Sequence, residues 1–204
     1  MSLRPPEKDL KTKCEHLHYR NSYLRLLPFK LETANDEGNY IGIVRDLISE
    51  TEVEKMKEKA KGNMKATPYE VNNQDYEYSH KRSSKIKYIS ERTDKLALTL
   101  SRRLERALSL NIYTPEYRFS SENYQLMNYG FGGLISLHVD SNGVREGFDN
   151  DIGGGRFTTA MVYLSSPASG GFTVFPKLGL FFAPKAGDLL FWNLQRTDGS
   201  IDDR

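Results

Sequence analysis

His138-Val139-Asp140 sets an imidazole and a carboxylate two residues apart inside an apolar run, Leu134-Ile-Ser-Leu-His-Val-Asp140. On an extended strand, side chains at i and i+2 share a face, so the two groups converge while Val139 turns away. A neutral imidazole and an ionised carboxylate are two parts of the 2-His-1-carboxylate set that holds non-heme Fe(II) with coordination positions open. The remaining member is a second histidine, and none follows His138 in the sequence. On spacing alone, a satisfied strand or core histidine is the competing reading.

Such a pair needs a rigid frame. The 204 residues are enough for one well-buried domain, and 38% hydrophobic with 27% charged residues suits a globular chain. No apolar run approaches the roughly 20 residues that span a bilayer. A net charge of +2 does not announce a nucleic-acid binder. The N-terminus is polar and lacks the apolar core of a secretory signal. Cys14, the single cysteine, reads as a lone free thiol, the alternative being a disulfide partner upstream.

Residues 1–36 are polar and unperiodic and read as a linker or arm, leaving 37–204 as the domain. Tyr40–Leu47 is a first strand candidate. Ser49 and Glu52 have the spacing of a capping box, with Ile48 and Val53 as a hydrophobic staple, and Gly62 closes that helix. A second helix from about 93 to 110 carries Leu96, Leu100, Leu104 and Leu108 at helical spacing. After Pro115, short strands are expected over 122–129, 134–140, 157–164, 172–175, 180–183 and 188–192. Helices first and strands after give an α+β order, with many short strands and Gly/Pro turns pointing to a sandwich or barrel.

These residues resemble the catalytic domain of animal prolyl 4-hydroxylase α subunits. The resemblance runs collinearly through Tyr23–Pro28, Asp46–Glu50, Asn128–Asp140, Arg156–Leu164, Gly170–Pro176 and Pro184–Trp192. It implies a double-stranded β-helix (jelly roll) buttressed by the N-terminal helices. It also implies a procollagen-proline 4-dioxygenase activity using Fe(II), dioxygen, 2-oxoglutarate and L-ascorbate. His138 and Asp140 match iron ligands, Tyr129 and Thr173 match residues of the 2-oxoglutarate pocket, and Arg156 matches an arginine that contacts the peptide. A collagen-like, Pro-rich peptide substrate, protein disulfide isomerase as β subunit and the endoplasmic reticulum lumen follow from the same likeness.

Two departures qualify the likeness. Ile135-Ser136-Leu137 stands where the family commonly has Tyr-Glu-Pro, and the second iron-binding histidine aligns a few residues beyond Arg204. The expectation is therefore an incomplete catalytic domain, its C-terminal strands missing, inactive as it stands. Edges such as Phe181-Phe182 and Leu189–Trp192 would then lie unpaired. The alternative is a non-catalytic jelly roll that binds peptide without turnover.

Plainer readings stay open for several of these features. Arg156 could form a surface ion pair with Asp149 or Asp151, and Tyr129 could be an ordinary strand aromatic. Gly153-Gly-Gly155 lacks the Lys-Ser/Thr of a phosphate loop. His80–Arg106, with nine Lys/Arg against three acids, reads as a solvated face rather than a nucleic-acid surface.

Overall fold

The computed structural model describes residues 13–17, 25–26, 28–35, 40–66, 69–71, 75–77, 83–110, 121–141, 156–196 and 199–202. The strands are β1 (Lys13–Leu17), β2 (Phe29–Asn35), β3 (Ile41–Arg45), β4 (Lys65–Ala66), β5 (Tyr69–Val71), β6 (Asp75–Glu77) and β7 (Lys85–Ile89). They continue as β8 (Tyr124–Asn128), β9 (Thr158–Val162), β10 (Thr173–Phe175), β11 (Leu180–Phe182) and β12 (Leu189–Asn193). Helix α1 is Glu50–Ala60 and helix α2 is Lys95–Leu108. The architecture is α+β, with every sheet antiparallel.

The main sheet has the order β1-β2-β3-β12-β9. Strand β12 sits inside it, and period-2 alternation sends its residues to two different layers. Leu189 and Phe191 join Leu31, Val44, Val53, Met56, Leu100, Leu104 and Ala107 on the face covered by both helices. Leu190 and Trp192 turn to the other face with Ile41, Ile43, Met161 and Tyr163, where Phe175, Leu180 and Phe182 of the β10–β11 hairpin pack on them. The helices thus occupy one side of the sheet and leave the opposite side to the hairpin. Gly42 is needed on the helix side, because a Cβ there would lie 2.9 Å from the Phe191 ring.

Both helices begin where local chemistry dictates. Ser49 and Glu52 exchange the reciprocal bonds of the capping box, and Ile48 and Val53 are buried in one cluster. Asp94 caps α2 by accepting from the backbone N–H groups of Leu96 and Ala97 at 2.9 and 3.1 Å. Gly62 takes φ +91° just past α1. A smaller sheet, β4-β7-β8, rests on α2 through Ile89, Leu126 and Ala97. Ser101, fully buried on α2, joins Glu91 and the Tyr124 hydroxyl, which ties the start of β8 to the helix.

Three features differ from the sequence reading. Two strands, β1 and β2, lie within the stretch read as an arm and hydrogen-bond into the main sheet. Phe29, Leu31 and Thr33 alternate with Lys30 and Glu32, so β2 carries a half-buried period that the polar composition around it obscures. Leu189–Trp192 is not an unpaired edge, since β3 and β9 take both of its sides. Phe182 is buried while Phe181 is exposed. The strand expected over 134–140 is not formed; only an isolated bridge at Ile135 appears there. Leu134, Leu137 and Val139 are exposed, so no core face holds this run extended.

Cys14 is a free, exposed thiol on β1. Within the basic stretch, Arg103 is committed to Glu52, with two hydrogen bonds of 2.9 Å. Among the described residues no helix is long and apolar enough to cross a membrane. Asp149, Asp151, Gly153–Gly155 and residues 80–82 lie outside the described residues.

Candidate metal centre

Segment 134–141 enters from β8 through a tight turn. Gly133 N–H donates to Gly130 O at 2.8 Å, and a Cβ on Gly133 would meet Gly130 O and Ser83 O within 3 Å. Ser83 N–H then donates to Leu134 O at 2.8 Å, and Leu134 N–H to Ser83 Oγ at 3.1 Å. Beyond that anchor the backbone is irregular, yet His138 and Asp140 converge: Nε2 and Oδ1 stand 3.0 Å apart. The expected outcome is met by a route other than the i, i+2 geometry of a strand.

The other ring nitrogen, Nδ1, lies 2.8 Å from Ser136 O. A carbonyl only accepts, so Nδ1 carries a proton; Nε2 then donates to Asp140 Oδ1 when the ring is charged and presents a lone pair to it when the ring is neutral. Two facing lone pairs call for a cation between them, either a proton or a metal ion. Metal bonds of about 2.0–2.2 Å to each donor, set at a right angle, would separate N and O by about 3 Å. An Nδ1–H bonded to a carbonyl is also the usual outer partner of a metal-ligating histidine. The two donors therefore fit a divalent cation. Among the described residues, no group of three or more His, Cys, Asp or Glu side chains is placed to hold one.

Asp140 is 22% exposed and His138 48%, so the pair opens to solvent on the imidazole side. Burial pushes the Asp140 carboxyl up. Hydrogen bonds from His138 and from Thr159, helped by the Arg156 charge, outweigh that and hold it below the usual carboxylate range. Thr159 Oγ1 donates to Oδ2 at 2.8 Å. Arg156 donates from Nη1 to the Asp140 backbone carbonyl at 3.0 Å. Its Nε and Nη2 meet the two oxygens of Glu122, the latter bond at 3.0 Å. The ion-pair partner of Arg156 is thus Glu122, just ahead of β8.

Tyr129, 38% exposed, follows β8, and its hydroxyl donates to Met127 Sδ at 3.7 Å. Thr173 Oγ1 lies 2.9 Å from the Tyr163 hydroxyl. Thr159 and Tyr163 are four residues apart along β9 and its extension, so both side chains issue from one face of the sheet, their Cα atoms about 13 Å apart. One face of one strand therefore reaches Asp140 at one end and Thr173 at the other. Thr159, Glu122 and Ser136 were not singled out from sequence. The alternation Thr159-Met161-Tyr163 could have flagged the first; nothing local signals a Glu122–Arg156 pair 34 residues apart.

The chain is 34% identical over 184 residues to prolyl 4-hydroxylase subunit alpha-2 of Gallus gallus, covering 87% of this chain and 32% of that protein. It is 32% identical over 200 residues to prolyl 4-hydroxylase subunit alpha-2 of Caenorhabditis elegans, covering 97% of this chain and 36% of that protein. The chain is a homologue of the prolyl 4-hydroxylase α subunits. The human alpha-1 subunit is 32% identical over 193 residues, 92% of this chain and 34% of its own length. The chain spans about a third of the length of the curated relatives it matches. No family model matches it. The homology places it in a proline hydroxylase family of dioxygenase type.

Proposed function

We propose that this chain is catalytic-domain sequence of a procollagen-proline 4-dioxygenase, with Fe(II), 2-oxoglutarate and L-ascorbate as cofactors. The observation that carries the reading is the imidazole locked by Ser136 O with its second nitrogen 3.0 Å from Asp140 Oδ1. His138 and Asp140 would hold the iron. Bound iron, with 2-oxoglutarate and dioxygen, supplies the oxidising power that turns a proline C4–H into C–OH, with succinate and CO2 released.

The chain's own residues bind and orient. Ser136 would fix the tautomer of His138, and the Thr159 hydroxyl would steady the Asp140 carboxylate. Tyr129 would point its phenol at 2-oxoglutarate, and Thr173, oriented by Tyr163, would line the same pocket. Phe131, Leu137 and Val139, exposed in the segment that carries His138 or just ahead of it, would offer apolar contacts to a Pro-rich, collagen-like peptide. Among the described residues Arg156 uses three of its five N–H groups, and the others would be offered to a peptide carbonyl.

In this reading the main sheet and the β10–β11 hairpin are facing layers of a jelly roll. The whole protein would act in the endoplasmic reticulum lumen with protein disulfide isomerase as its β subunit. A second reading is peptide binding without turnover, which the exposed apolar residues Phe131, Leu137 and Val139 would serve as well.

Peptide-dependent succinate formation tests both. It is measured with Fe(II), 2-oxoglutarate and ascorbate on the full-length protein. Turnover, abolished by His138→Ala, is the expected result, and peptide binding without turnover favours the second reading. Turnover that survives His138→Ala refutes the ligand assignment.

A further inference from the structure

We propose that Thr159 and Arg156 are the positioning residues that aim Asp140, sparing Oδ1 for the metal. This rests on the metal reading for its chemistry but on hydrogen-bond geometry for its substance. Segment 138–140 has no regular ladder of its own, so its backbone cannot fix where the carboxylate points. Strand β9 supplies the missing constraint. Thr159 pairs with Trp192 across the sheet, its β-branched side chain has few χ1 choices, and its hydroxyl occupies Oδ2 at 2.8 Å.

Arg156 acts on the backbone of the same residue. The bidentate grip of Glu122 holds the planar guanidinium in one orientation. From there Nη1 holds the Asp140 carbonyl at 3.0 Å. One contact sets the position of the main chain and the other sets the rotation of the carboxylate. With Oδ2 occupied, Asp140 offers a single oxygen next to His138 Nε2, which leaves room at the metal for a chelating cosubstrate. Because Glu122 precedes β8 and Arg156 precedes β9, the brace also ties the small sheet to the main one.

Two readouts on this chain test the proposal: titration with Co(II) followed by its visible absorption, and amide hydrogen exchange of residues 134–141. Thr159→Val keeps the shape and removes the donor. It is expected to weaken Co(II) binding 10–100-fold, the usual cost of losing an outer partner, while Thr159→Ser stays within about threefold of wild type. Arg156→Met and Glu122→Gln should each speed exchange at 138–141 and leave the protection of β9 and β12 unchanged.

Unchanged Co(II) affinity in Thr159→Val overturns the role of Thr159. Exchange that stays unchanged at 138–141, or rises throughout β9 and β12, overturns that of Arg156. A wild-type chain that takes up no Co(II) overturns the metal reading instead, and local exchange in all three variants then decides the brace by itself.

Discussion

Asp188 is a buried charged side chain whose loss should be costly. It is 1% exposed and accepts from Arg45 Nη1 at 2.6 Å and from Asp46 N–H at 2.9 Å, with Lys185 Nζ at 3.8 Å. These contacts join the end of β3 to the start of β12 and hold Asp46 at φ +53°, a left-handed conformation uncommon outside glycine. Breaking a buried ion pair costs about 3–5 kcal/mol, and an orphaned N–H about 1–3 kcal/mol. Arg45 moderates this, being 29% exposed and still paired with Glu32. Asp188→Ala should therefore lose about 3 kcal/mol. Asp188→Asn retains an acceptor for Asp46 N–H and should lose only about 1–2 kcal/mol. Urea denaturation followed by circular dichroism at neutral pH measures both, provided the m-value is unchanged. Two variants within about 0.5 kcal/mol of wild type would refute the reasoning. Equal losses would show that the charge alone matters and that the Asp46 N–H bond contributes nothing.

Two further outcomes follow from the core and the helix caps. The hydrogen bonds from Arg103 hold the Glu52 carboxyl at about 2 against an ordinary 4.5, against the upward push of burial and with help from Ser49. A depressed folded value means stability present above pH 4.5 and lost as the pH falls toward 2. Full conversion of the shift is about 3 kcal/mol, and solvent access to both partners brings the expected loss to about 2 kcal/mol. Wild type and Glu52→Gln should thus differ at pH 6 and converge by pH 2 in thermal melts; a constant gap would refute the linkage. Gly42→Ala places a methyl against Phe191 and Leu31, which should cost about 1–3 kcal/mol, and an unchanged denaturation midpoint would contradict that packing.

The legible parts of this chain are those whose cause is local. A capping box is set within four residues, and a helix with Leu every fourth position shows its buried stripe directly. The α+β class and the strands from β8 onward were readable for the same reason, whereas the helices-first order was not, since β1–β3 precede α1 and β4–β7 lie between the helices. Segment 134–140 was not, because its apolar letters suggest a half-buried strand while Leu134, Leu137 and Val139 are exposed. Strand β2 was hidden by the opposite effect, a polar neighbourhood around a genuine alternation. At the candidate centre, His138 and Asp140 were legible from type and spacing. Their partners Thr159, Arg156 and Glu122 come together only once β8 and β9 are in place.

The irregular backbone at His138–Asp140 has a consequence for anyone wishing to transplant this centre. A tripeptide that gets its aim from its own strand can be moved to another scaffold as three letters. Here the aim is lent by a hydroxyl on β9 and a guanidinium just ahead of that strand, and the guanidinium is steadied by a glutamate from a third place in the chain. A graft of His-Val-Asp alone would arrive with its carboxylate free to rotate, so the portable unit is the tripeptide together with Glu122, Arg156 and Thr159.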